Sequence, residues 1–190
     1  ERNAPDAKKN FRDVIERGFI DKDVVLRKER IGVNTTITLA ALLARSGVAK
    51  LDLYHNSLRD TGCEAVSHLL REAPALTHLN LGANDIGTMG IQSLSLAVAT
   101  HKKLQVLCLG TEPQDTYINR LDSASTKILL DGCIRSKSLK YLDLSRNHIG
   151  KTMGSGGSVA SLVPTMSQDA FPFLQQLVLQ SSVLQTLRLS

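Results

Sequence analysis

Aliphatic residues recur along this chain in a short unit, LxxLxLxxN, followed two places later by another apolar residue. Val48, Leu51, Leu53, Asn56 and Leu58 form one unit, Leu76, Leu79, Leu81, Asn84 and Ile86 a second, and Leu139, Leu142, Leu144, Asn147 and Ile149 a third. Leu104, Leu107 and Leu109 make a copy without the Asn, and Leu174, Leu177 and Leu179 another, with Ser182 in the Asn place. The second and third apolar positions lie two residues apart, so both side chains of a short strand point to one side, toward a core. The Asn stands where the chain turns, and its amide can donate to and accept from backbone groups that stacking would otherwise bury unpaired.

The first residues of successive units are 28, 28, 35 and 35 residues apart. An interval of 28 leaves room for a full helix between strands. The helices are legible: Cys63, Val66, Leu69 and Leu70 recur as Ile91, Leu94, Ala97 and Val98 at the same offsets, an apolar helical face. Thr61 with Glu64 reads as a capping box. An earlier, degenerate unit runs through Val24, Leu26, Ile31 and Gly32 with Glu29 in the Asn place, and Asp6 to Arg17 is expected to form a capping helix.

On units such as Leu76-Thr77-His78-Leu79-Asn80-Leu81-Gly82-Ala83-Asn84-Asp85-Ile86-Gly87, the chain resembles the ribonuclease-inhibitor-like subfamily of leucine-rich repeats over residues 20 to 190. The resemblance implies an α/β fold, a right-handed solenoid or horseshoe with a parallel concave sheet and convex helices. The expected division is an N-terminal capping region over residues 1–20 and a repeat domain of about six units over 21–190. Because the sequence begins without Met and stops on an apparent strand, it is expected to be part of a longer chain.

Three places depart from the pattern. The polar stretch Thr111 to Asp122 follows a strand and is expected to project as a loop at that rim; the glycines from Gly154 to Ser158 read as a flexible linker, since no GKS or GKT marks a phosphate cradle. Leu184, Leu187 and Leu189 repeat the strand pattern only ten residues after Leu174, so residues 181–183 are expected to mark a junction where chain is missing.

Residues flanking the core leucines face away from the helices and line the inner curve. They fall into three columns: Lys50, His78, Val106, Tyr141, Gln176; Asp52, Asn80, Cys108, Asp143, Val178; and Tyr54, Gly82, Gly110, Ser145, Gln180. The residues expected to contact a protein partner are Lys50, Asp52, Tyr54, His78, Asn80, Tyr141, Asp143, Ser145 and Gln176. Tyrosines supply anchors and the aspartates set specificity.

Composition narrows the function. Aromatics are 4% with no Trp, so the core is aliphatic. A charge of +5 without a long basic run or interleaved aromatics does not imply nucleic acid, and Arg27, Lys28 and Arg30 around Glu29 read as solvated surface. No apolar run approaches a membrane span, and the N-terminus is not a signal peptide. Three cysteines without CxxC spacing fit a reducing, cytoplasmic compartment; Cys63 and Cys133 fall on helix cores and Cys108 on the outer sheet face. Five scattered histidines, read mostly as exposed, do not suggest a metal, and no catalytic fingerprint is present. No cofactor or catalysis is expected. The expected function is a protein-binding scaffold, acting as a monomer or within a larger assembly. The alternatives are a regulatory or targeting module of a larger protein and a GTPase-activating function resembling the activator of the Ran GTPase, for which Arg59, Arg120 and Arg146 lie on strand-to-helix loops.

Overall fold

Three-residue strands alternate with helices because each unit offers only one inward pair of leucines before the chain turns. The computed structural model describes residues 19–149 and 171–189. Its elements run β1 (Phe19–Ile20), β2 (Asp23–Val25), α1 (Gly32–Leu43), β3 (Lys50–Asp52), α2 (Arg59–Glu72), β4 (His78–Asn80), α3 (Thr88–Thr100), β5 (Val106–Cys108), α4 (Ser123–Arg135), β6 (Tyr141–Asp143), α5 (Phe171–Gln180) and β7 (Thr186–Arg188). The strands form one sheet in chain order, parallel from β2 to β7, with β1 antiparallel against β2 at the edge. The described residues therefore form a solenoid of six strand units with its helices on the far side.

One aliphatic core runs the length of the stack. Leu51, Leu79, Leu107 and Leu142 pair in register and are at most 1% exposed. Opposite them the predicted helix positions, Cys63, Val66, Leu69 and Leu70, then Ile91, Leu94, Ala97 and Val98, are all buried. The degenerate first unit is a true repeat, with Val24 beside Leu51. The capping helix expected over Asp6–Arg17 and the linker Gly154–Ser158 lie outside the described residues.

The Asn residues build a ladder along the rim. Asn84 Nδ2 donates to the carbonyls of Leu53 and Gly82, both at 2.9 Å, while its Oδ1 accepts from the Asn56 N–H at 2.7 Å. Asn56 Oδ1 in turn accepts from the Glu29 N–H, so the first unit receives a bond although it has no Asn to pass one on. The unit starting at Leu104 does not lack its Asn, as expected, but displaces it. Asn119 Nδ2 donates to the Leu81 and Leu109 carbonyls at 3.0 Å, and its Oδ1 accepts from the N–H groups of Asn84 and Ile86. Leu121 follows into the core, 0% exposed. The interval of 35 is thus a normal 28 with seven residues inserted between strand and Asn.

Two further expectations are corrected. Leu174, Leu177 and Leu179 lie on helix α5 and not on a strand. LxxL is also a helical spacing: Leu174 and Leu177 share the buried face, while Leu179 turns outward at 75% exposure. The last strand is β7, where Leu187 pairs with Leu142, so Gln176, Val178 and Gln180 leave the inner columns and Thr186 and Arg188 enter them. Residues 181–183 form a helix-to-strand turn, closed by the Ser181 N–H on the Leu177 carbonyl and the Leu184 N–H on Ser181 Oγ.

Thr61 and Glu64 do not form a capping box, because α2 already begins at Arg59. The capping box belongs to α4, where Asp122 and Ser125 bond reciprocally. Helix α3 is capped from the preceding repeat: Asp60 Oδ1 accepts from the N–H groups of Gly87 at 2.6 Å and Gly90 at 3.1 Å. A carboxylate at a helix start satisfies free donors and opposes the helix dipole. Asp60→Ala is expected to lower stability by about 1–2 kcal/mol, read from the urea midpoint; an unchanged midpoint would mean that solvent replaces the carboxylate at no cost.

Candidate protein-binding face and the loop that crosses it

The inner columns are present in the order that strand alternation predicts, with the last member replaced. Lys50, His78, Val106, Tyr141 and Thr186 share one register row, and Asp52, Asn80, Cys108, Asp143 and Arg188 the next. In the first row Lys50 Nζ pairs with Asp23 at 2.9 Å, and His78 Nδ1 lies 2.8 Å from Thr77 Oγ1. Burial, then the neighbouring Lys50 ammonium, lowers the His78 pKa against the pull of Asp23. Tyr141 is half-buried and makes no side-chain hydrogen bond among the described residues.

The second row carries a structural duty that alternation alone does not reveal. Asp52 Oδ1 accepts from the Tyr54 N–H at 3.0 Å, Asn80 Oδ1 from the Gly82 N–H at 3.0 Å, and Asp143 Oδ1 from the Ser145 N–H at 2.8 Å. Each fastens the turn leaving its strand, as short Asx side chains do. The other carboxylate oxygen faces outward, toward Arg27 at 2.8 Å for Asp52 and toward Arg188 at 3.8 Å for Asp143. Cys108 sits between them. Burial first, then Asp143 and Asp52, pushes its thiol up to about 12, so it stays protonated near neutrality and is a poor nucleophile. Cys63 and Cys133, fully inside, are likewise pushed up to about 12 by burial.

Tyr54 is not the exposed anchor that its column predicts. It is 2% exposed, because the inserted loop folds down over it instead of projecting from the rim. Tyr54 Oη donates to Asp115 Oδ2 at 2.5 Å and accepts from the Glu112 N–H at 2.9 Å. Burial and the Asp115 bond raise the Tyr54 pKa, and that hydroxyl, more than Lys28, holds the Asp115 carboxyl below its usual range against burial. Ser145, 3% exposed, is also withdrawn from the surface, and Gln176 lies on α5, beside a recess of about 630 Å³ with Leu96, Ile128 and Phe173 on the helical side.

Charge secures the loop to the first repeat. Arg27 stacks on the Tyr54 ring, with Cζ 4.5 Å from its centroid, and bridges Asp52 to Glu112. Lys28 Nζ reaches Asp115 at 3.1 Å and Glu112 at 3.7 Å. Tyr117 packs on His55 with ring centroids 4.8 Å apart. So Arg27 and Lys28, read from sequence as solvated surface, face carboxylates 85 and 87 residues away. Of the arginines on strand-to-helix loops, Arg120 is tied to Asp85 at 2.8 Å and Asp60 at 3.5 Å, and Arg59 stands 3.8 Å from Asp85. Among the histidines, read mostly as exposed, His101 is buried at 8% exposure, and its Nδ1 accepts from the Leu104 N–H at 2.9 Å. Among the described residues no group of three or more His, Cys, Asp or Glu is placed to hold a metal, and no helix is long and apolar enough to cross a membrane.

A parallel sheet of three-residue strands, a buried Asn ladder and a helix closing each unit define this chain as a leucine-rich-repeat protein of the ribonuclease-inhibitor-like type. The Leucine Rich repeat family model matches residues 74–95 and 135–152. Ribonuclease inhibitor from Sus scrofa is a distant homologue, 30% identical over 161 residues; the match takes in 83% of this chain but 32% of that protein, so the chain spans about a third of the relative's length. Among solved structures, Leiomodin-1 Actin-Binding Site 2 (ABS2) superposes with a TM-score of 0.61 over 92% of this chain and 91% of its own, at 16% identity, a likeness of fold alone. Domains of this repeat class are typically protein-binding modules, and the ribonuclease-inhibitor-like family consists generally of non-catalytic binding proteins.

Proposed function

We propose that the chain is a protein-binding scaffold, without catalytic activity, that holds a partner protein on its concave sheet face and on the rim crossed by the inserted loop. The observation that carries this reading is the row Lys50, His78, Val106 and Tyr141. Four side chains from four consecutive strands stand in register on a rigid sheet, none of them needed by the aliphatic core beneath. Such a row mixes an aromatic anchor with polar groups, the composition that dominates protein interfaces. Three free cysteines suit a reducing compartment such as the cytoplasm.

The test is retention of a partner captured from cell extract and then purified. Against the parent chain, Tyr141→Ala combined with His78→Ala, shown folded by circular dichroism, is expected to weaken Kd at least about tenfold. Gln92→Ala, exposed on α3, is the control expected to bind normally. Equal affinity for parent and double variant would remove the sheet face from the reading. Tyr54 is not a suitable probe, because truncating it disturbs the loop.

A further inference from the structure

The inserted loop occupies a surface that is already shaped to receive carboxylates. Its stack of Arg27 on Tyr54, with Lys28 alongside and Asp52 holding the guanidinium from below, is supplied by the first two repeats. Glu112 and Asp115 are presented to it three residues apart, in a turn closed by the Asp115 N–H on the Glu112 carbonyl at 3.0 Å. The ion pairs to Glu112 are light. Side-chain exposures of 34% for Arg27, 44% for Lys28 and 36% for Glu112 leave these ion pairs in contact with water, where each contributes roughly 0–1 kcal/mol.

The repeat framework is anchored on either side of the loop. The Thr111 N–H still bonds the Ser145 carbonyl, as the equivalent His55 N–H bonds Gly82, and Asn119 restores the ladder. A chain carrying +5 overall also favours approach of an acidic partner.

We infer that Arg27, Lys28 and Tyr54 form a docking site for an acidic segment of a partner protein, which Glu112 and Asp115 occupy in its absence and which the partner's carboxylates take over by displacing the loop. The segment carries two carboxylates three residues apart in a turn, matching the loop that it replaces. Exchange of one pair of carboxylates for another preserves the ion pairs, while the tethered loop competes at high effective concentration and weakens apparent affinity. The inference rests on the protein-binding reading of this rim, yet it fails separately from it.

The probe is a blocked peptide of the loop's own sequence, Gly110 to Asn119, titrated into the isotopically labelled full chain and followed by amide NMR shifts. With the loop released by Glu112→Gln and Asp115→Asn, shifts at Arg27, Lys28 and Tyr54 are expected to half-saturate at a peptide concentration at least about tenfold lower than in the parent chain. Adding Arg27→Gln and Lys28→Gln, or using a peptide with Gln and Asn for its acids, is expected to abolish them. No shifts in a released variant that circular dichroism shows to be folded, or the same response in parent and released chains, would overturn the site. If the peptide fails while the Tyr141-dependent partner still binds, the docking site alone falls and the sheet-face reading stands.

Discussion

Asn119→Ala is expected to destabilise the protein by about 3–5 kcal/mol, more than most single truncations. Asn119 is 0% exposed, and its amide alone serves four backbone groups from two consecutive repeats: the carbonyls of Leu81 and Leu109 and the N–H groups of Asn84 and Ile86. Removing it leaves those groups buried without partners, and each orphan costs roughly 1–3 kcal/mol before any relaxation or entry of water. Asn119→Asp tests the mechanism more sharply. Its size is unchanged, yet a carboxylate cannot donate to the two carbonyls and places a charge in the core, so it is expected to be at least as damaging as alanine. Urea unfolding followed by circular dichroism measures both. A loss below about 1 kcal/mol for either would mean that the ladder closes through another residue and that the displaced Asn is dispensable.

Gly82→Ala is the second large effect, about 3 kcal/mol, and it reports on the loop as well as on stability. A Cβ at residue 82 would lie 2.1 Å from the Gly110 carbonyl oxygen and 2.9 Å from Tyr54 Cδ2. The first contact is with backbone of the adjacent strand unit, which cannot step aside without disturbing the sheet. The second is with the ring that carries the clasp. The variant is therefore expected both to lower the unfolding midpoint and to speed hydrogen exchange of the Glu112 N–H, which bonds Tyr54 Oη. Faster exchange with an unchanged midpoint would show that the tyrosine gives way and the backbone contact is relieved cheaply. No change in either would show that the close approach of the two glycines is not required.

The repeat was legible in the sequence wherever one short unit carried its own information. Leu51 and Leu53, or Leu79 and Leu81, reach the core by simple alternation, and Cys63, Val66, Leu69 and Leu70 by helical spacing, so strands, helices and columns follow locally. The same rules mislead where two periods coincide. Leu174 and Leu177 satisfy the first step of the strand unit and one turn of a helix equally well, and only packing against α4 separates them. Asn119 was detectable in principle, since Asn119 and Leu121 keep the Asn-to-apolar offset of Asn56 and Leu58, seven residues late. What no local pattern held was the pairing of Arg27 and Lys28 with Glu112 and Asp115, or the burial of Tyr54 beneath them. Contacts across more than eighty residues arise from stacking, and a column drawn from strand parity cannot show what later folds over it.

The position of the seven added residues carries a consequence for how such a surface diversifies. Residues 112–118 enter after Thr111 has taken its place in the sheet and leave before Asn119 takes its place in the ladder, so they hang from two fixed points like a cassette in a socket. Had they entered within a strand, an odd number of added residues would have turned every later side chain of that strand to the opposite face. Here the loop can lengthen, shorten or change its charge while sheet register stays as it is. A rigid array thereby keeps one place where recognition can vary without renegotiating the fold.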